Sequence, residues 1–181
     1  DRPIEIKSLI ETISKDPKFS VVAKRVKRAE GMIFQFLYQA HKLITLVFTG
    51  HKINFGNYSC LTYEDVKILS TKASLWSSYS GTVKKNIDHL DYFDSSRGQR
   101  YFGPSKMSLT KLVLHSFSII AVFKFIVLLR SIIYLVILIL LQKHLFFVNL
   151  FLIPLLFFFN FFIFYLSIKQ NRAFEIVSQD N

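Results

Sequence analysis

The sequence predicts an all-α integral membrane protein, in which an N-terminal helical extramembrane region precedes a C-terminal two-helix transmembrane hairpin. Three observations carry that prediction. Between Ser116 and Ile168 lie two apolar segments, Phe117 to Leu141 and Leu145 to Ile168, separated by Gln142-Lys143-His144. Each exceeds the roughly 20 residues that cross a bilayer core about 30 Å thick at about 1.5 Å rise per residue. From Leu145 to Leu166 the second segment is interrupted only by Asn149, Pro154 and Asn160, so it is apolar on every face, which a soluble core helix of so small a chain would not need to be. Two helices joined by so short a turn run antiparallel.

This divides the chain into a basic amphipathic helical region, 1–112, the hairpin, 113–168, with its turn at 142–144, and a polar C-terminal tail, 169–181. The front region has room for one small helical bundle rather than a typical enzyme domain. The formal net charge is +11. Residues 1–112 carry 18 Lys or Arg against 10 Asp or Glu, a surplus of 8. A hairpin returns the chain to its starting side, so both termini share one compartment. The positive-inside bias makes that compartment the mitochondrial matrix or the cytosol, with Lys111, Lys169 and Arg172 nearest the helix ends. The tip, with Lys143 and His144, then faces the opposite side. A single cysteine, Cys60, excludes an internal disulfide framework. Asp1 to Lys15 mixes acids, bases and apolar residues without the continuous apolar core of a secretory signal. Its acids, with Asp16 just beyond, also depart from a typical mitochondrial presequence.

Taken in order, Ile6, Leu9, Ile10 and Ile13 recur at helical spacing after Pro3, and Asp16-Pro17 stops that first amphipathic helix. A second helix of about thirty residues is read from Pro17 through Phe19, Val22, Val26, Ile33, Phe36, Leu37, Ala40, Ile44 and Val47. It bends at Gly31 and stops at Gly50. Thr62-Tyr63-Glu64-Asp65 has capping-box spacing ahead of a third helix, Tyr63 to Tyr79. A fourth pattern runs through Val83, Ile87, Leu90 and Phe93 to the polar loop Asp94 to Gly98. No period-two strand block stands out.

Arg130 is the most telling single residue. Counted back from the turn it lies about eleven residues, roughly 16 Å, into the bilayer, near the midplane of a continuous first span. A central Arg costs about 2.5–3.5 kcal/mol on insertion scales. Neither apolar segment offers an Asp or Glu. The nearest level on the second helix is Leu156, one turn from Asn160, whose amide oxygen accepts a hydrogen bond without neutralising the charge. Three readings follow: Arg130 snorkels to the interface, as Lys124 nearer the same end does more easily; it meets another chain or a phospholipid; or it serves a proton pathway. The last lacks the acidic and histidine relay such a path requires.

The run Lys24-Arg25-Val26-Lys27-Arg28 suits anionic lipid, at about 1 kcal/mol per basic residue near the surface, or an acidic partner. A solvated helix face is the plain reading, and nucleic acid is not expected as a partner. Asp88, His89, Asp91 and Asp94 lack the second cluster a metal site needs, and the other histidines are scattered. Glycine-rich phosphate loops, HExxH and the nucleophile elbow are missing from the sequence. No catalytic residue, cofactor or metal is therefore assigned, and no enzymatic activity is expected.

The stretch from Glu30-Gly31 to Leu43, followed by Ser77 to Leu90 with Lys84-Lys85, faintly resembles the helical pattern of the peroxin-eleven family. It covers about a third of the chain, with the Gln-Tyr pair reversed and the basic residues after Gly31 missing. The resemblance implies a membrane-shaping protein of a peroxisomal or other organelle membrane, the alternative function. The first expectation is a non-catalytic accessory subunit of a multi-subunit complex of the mitochondrial inner membrane, in the respiratory chain or ATP synthase. The organelle is inferred from the Phe-, Ile-, Lys- and Asn-rich composition. Its partners would be other membrane subunits and an anionic phospholipid such as cardiolipin, met by Arg130, Lys124 and Asn160 in the hairpin and by Lys24, Arg25, Lys27 and Arg28 in front of it.

Overall fold

Helix α1 spans Glu5–Lys15 and buries Leu9, while Ile6 and Ile10 stay about half exposed. It ends before Asp16-Pro17, as the proline requires. The computed structural model, which describes residue 3 and residues 5–27, 32–96 and 108–179, then departs from the all-helical expectation. The fold is mostly helical but holds a three-stranded sheet. Ser20–Lys27 is its central strand, β1, rather than the first half of a long helix.

The physical reason lies in burial. Val21, Val22 and Ala23 are at most 2% exposed, so this strand is covered on both faces and shows a continuous apolar run rather than alternation. Such a run cannot be told from a buried helix by periodicity. The adjacent β-branched valines settle the local preference for strand. β2 (Phe55–Cys60) pairs antiparallel with β1, Val21 opposite Cys60, with an irregularity between Val22 and Lys24. β3 (Leu90–Ser96) pairs parallel on the other side, Ser20 opposite Leu90 and Lys24 opposite Asp94.

The second half of the expected long helix survives as α2, Met32–Thr49, ended by Gly50 at φ 76°. The proposed bend at Gly31 lies outside the described residues, as does Arg28. The expected third helix, Tyr63 to Tyr79, divides into α3 (Tyr63–Ser70) and a 3-10 turn (Ala73–Trp76), and α4 (Tyr79–Asn86) begins only at its last residue. Thr62 caps α3 by accepting from the Asp65 amide at 3.3 Å, and Ser78 caps α4 by accepting from the Gly81 amide at 3.3 Å. A serine offering its side chain to the backbone starts a new helix in place of continuing the old one. Of the fourth pattern, Val83 belongs to α4, whereas Leu90 and Phe93 belong to β3.

The first apolar segment is not one straight span. It breaks into α5 (Leu109–Ala121) and α6 (Lys124–Leu140), bent by 87°. Buried Phe123 sits at the break with φ −103° and ψ 23°. α7 (Gln142–Gln179) follows, with Leu145 irregular at φ −121° and ψ 29° and Pro154 inside it. Its stretch Gln142–Arg172 is long and apolar enough to cross a membrane, and only 11% of its most apolar window is buried. The expected polar tail is therefore helical through Lys169 and Arg172, and Gln170 donates to the Ser118 carbonyl at 3.1 Å. One apolar cluster joins β1 and β2, through Val22 and Phe55, to the α5–α6 elbow, Ile119 to Phe123, and to Ile163 and Leu166 of α7.

Candidate functional site

The break in the first apolar segment brings the end of α2, the elbow, α4 and the middle of α7 to one place. α2 ends because Gly50 adopts the left-handed region, its amide donating to the Leu46 carbonyl at 2.8 Å. The next carbonyl, Val47, lacks a continuing helical turn and is taken by two side chains of α6. Arg130 Nη1 donates to it at 3.1 Å and the Tyr134 hydroxyl at 2.7 Å. A cation at a helix C-terminus also meets the negative end of the macrodipole, worth about 0.3–1 kcal/mol. The guanidinium fills the space a side chain at residue 50 would need, since a Cβ there would lie 2.5 Å from Arg130 Nη2.

This geometry relocates Arg130. α6 starts at Lys124, so Arg130 sits only about 9 Å along it, and helical side chains lean back toward the N-terminus. The guanidinium thus reaches toward the body of the protein rather than into the middle of a span. Asn160 does not take part in this bonding. Its Nδ2 donates to the Leu156 carbonyl of its own helix at 2.8 Å, and its Oδ1, like Ser131 Oγ, is buried without a hydrogen bond. Both line a cleft between α6 and α7, and nearer the turn Asn149 Nδ2 donates to the Leu138 carbonyl at 2.6 Å.

An aromatic cluster closes the junction. Phe48 of α2 packs on Phe159 of α7 at 4.3 Å and edge-on to Tyr134 at 5.7 Å, and Phe117 of α5 meets Phe159 and Phe162. Next to Gly50, the His51 ring lies 4.9 Å from that of Phe123. Burial, then the neighbouring charges of Lys84 and Arg130, hold the His51 imidazole below its ordinary pKa of 6.5.

On the other side of the elbow, Lys85 Nζ donates to the Val122 carbonyl at 2.7 Å. Gly81 allows that approach, because a Cβ there would meet Val122 Cγ2 at 3.1 Å and the Ile119 carbonyl at 3.2 Å. Burial pushes the Lys85 ammonium down, and Lys124 and Lys72 add to the shift. Lys124 begins α6 with its Nζ 5.2 Å from the Phe125 ring centroid. Among the described residues, no ion pair involves Lys72, Lys84, Lys85, Lys124 or Arg130.

The basic run of the sequence is not gathered here. Lys24, Arg25 and Lys27 lie on β1, where Lys24 pairs with Asp94 of β3 at 3.8 Å. The described residues hold no group of three or more His, Cys, Asp or Glu placed to bind a metal. Sequence reasoning missed Gly50, Tyr134, Phe48 and Lys85 as parts of one junction. A usable signal was present: Lys124 interrupts the apolar run six residues before Arg130, and a long basic side chain there marks a place where the segment can turn toward polar surroundings. A scan against protein-family models, a search of curated proteins and a search of solved structures each returned no match.

Proposed function

We propose that this chain is a non-catalytic accessory subunit of a larger membrane assembly, anchored by an α6–α7 hairpin and presenting its small α/β body on the matrix or cytosolic face. One observation carries the reading. α6 and α7 as far as Phe161 expose many large apolar side chains, among them Leu129, Ile133, Leu140, Phe147, Phe151, Phe157 and Phe161. Exposed apolar surface of that extent needs lipid or protein around it. α6, at 17 residues, is about 25 Å long and Gln142–Arg172, at 31 residues, about 46 Å, which suits a bilayer core of about 30 Å. In this reading Lys124 marks one interface and Lys143 the other. The composition points to the mitochondrial inner membrane. Solubilising native membranes in mild detergent and locating the chain across a native gel tests the reading. Co-migration with an assembly of several hundred kilodaltons is expected, and migration as a monomer refutes it.

A second reading, a membrane-shaping protein, draws on α2, which exposes Met32, Phe36, Leu43, Ile44 and Val47 next to the junction. A shallowly inserted apolar helix beside a hairpin wedges one leaflet apart. Deformation of pure liposomes by the isolated protein would favour it.

A further inference from the structure

We propose that the exposed side of the 3-10 turn Ala73–Trp76 seats in the phospholipid headgroup layer beside α7, with Trp76 as its anchor. The inference rests on the membrane reading above and adds a lipid-facing surface on the body itself. Three observations carry it. The first is level. α6 begins at Lys124, and the rings of Phe125 and Phe164 lie 6.4 Å apart, so the apolar pair ends beside Phe164 of α7. Leu166, Ser167 and Gln170 lie past that point yet are at most 8% exposed. The body elements packed closely on α7 are α5 and the 3-10 turn, so these two supply the cover. The turn therefore stands about 3–9 Å beyond the end of the pair, at about 1.5 Å rise per residue. The headgroup region on one side of an apolar core about 30 Å thick is about 5–8 Å deep, and the turn falls within it.

The second observation is chemical. Leu75 is half-buried against the core and Ser74 accepts from Thr82 Oγ1 at 2.8 Å, so the turn is held to the body. Trp76, the chain's single tryptophan, is 61% exposed. An indole joins a large apolar surface to one N–H donor and collects at the membrane–water interface, where one end stays apolar and the other wet. Tyr165 emerges at the same level of α7, more than half exposed. The third is charge: Lys124 starts α6, and Lys169 and Arg172 are exposed on α7 just past its apolar stretch. Cations at this level complement the phosphates of an anionic leaflet. A lone exposed aromatic elsewhere on a body needs no explanation. This one stands where the proposed spans leave the hydrocarbon.

With one tryptophan in the chain, the emission of the unmodified protein reports Trp76 alone. The full chain is reconstituted into vesicles of phosphatidylcholine and phosphatidylglycerol and its emission read with three quenchers. Phospholipid brominated on its acyl chains close to the headgroup should remove most of the emission, phospholipid brominated near the methyl end less, and iodide in the water little. Strong quenching by iodide with none by either brominated lipid overturns the proposal, because the turn then faces water. Stronger quenching from the methyl end also overturns it, placing the indole in hydrocarbon. Protection from all three means that a second copy of the chain covers Trp76, and the lipid assignment falls. Alkaline carbonate extraction of the same vesicles reports separately on the membrane reading. A chain retained through carbonate with an iodide-quenched Trp76 keeps the anchor and loses the surface, whereas a chain released by carbonate loses the anchor and the surface with it.

Discussion

Substituting Gly50 tests the lock between α2 and α6 at a single atom. Gly50→Ala has two costs. The left-handed conformation at φ 76° disfavours an L-residue by about 1–2 kcal/mol, offset by about 0.4–1 kcal/mol because alanine restricts the unfolded chain. The new Cβ would also stand 2.5 Å from Arg130 Nη2. The guanidinium is the flexible end of a long side chain, so it moves aside rather than distorting the backbone, and it gives up the 3.1 Å bond to the Val47 carbonyl. A hydrogen bond from a charged group is worth about 1.5–3 kcal/mol. The net expectation is a loss of about 2–4 kcal/mol.

The two contributions separate in a double-mutant cycle. With Arg130→Ala in place there is no guanidinium to displace, and Gly50→Ala should cost only the backbone term of about 1 kcal/mol. The coupling energy is then about 1.5–3 kcal/mol, measured by denaturant unfolding in detergent micelles under circular dichroism. Hydrogen exchange at the Gly50 amide, which bonds to Leu46, reports the helix end directly. Additive effects of the two substitutions would refute the contact between Gly50 and the guanidinium, and with it the placement of Arg130 at the end of α2.

Further substitutions test the surroundings of that lock. His51→Phe keeps a ring against Phe123 but removes a group whose folded pKa is held below 6.5. Below pH 6.5 the unfolded chain takes up a proton the folded chain resists, so wild-type stability falls as pH drops through that window; the wild-type minus variant difference should show that slope and be flat above it. Val22→Ala, at a position with no exposure in the central strand, should cost about 2–3 kcal/mol in denaturant unfolding, and a loss below about 0.5 kcal/mol would contradict the strand. Thr62→Ala should remove about 1 kcal/mol by uncapping α3, readable as a lowered melting temperature. Lys24→Ala, by contrast, breaks an ion pair between half-exposed partners and should change stability by no more than about 1 kcal/mol, far less at high salt.

What the sequence made legible followed burial on one face. α1, the Gly50 stop and the Thr62 cap all announce themselves locally, through spacing, a glycine and a hydroxyl. β1 did not, because a strand covered on both sides leaves no alternation, and its partners lie more than thirty residues on, at Cys60 and Leu90. The elbow was hidden for a related reason. Phe117 to Leu141 is apolar throughout its ends and middle save a few residues, so composition cannot say where its helix breaks. That is decided by Lys85 and Gly81 arriving from α4 to hold Val122. Arg130 was recognised as a costly residue from the sequence alone. Its partner could not be, since a backbone carbonyl of another helix carries no signature in the amino-acid string.

The junction bears on which functional reading the geometry favours. A membrane shaper gains from an anchor that moves independently of the helix it inserts, whereas a subunit held between fixed neighbours gains from one that does not. Here α7 continues past the apolar stretch without a break, burying Ile163, Leu166, Ser167 and Gln170 against the body. α6 is tied to α2 through Val47, and the elbow is tied to α4 through Val122. Each tie joins a different pair of elements, so no single loop can act as a hinge between the apolar pair and the sheet. Under the proposed anchoring, a body so fixed to the apolar helices would transmit position from the membrane to a surface outside it, and that property favours the accessory-subunit reading over the wedge.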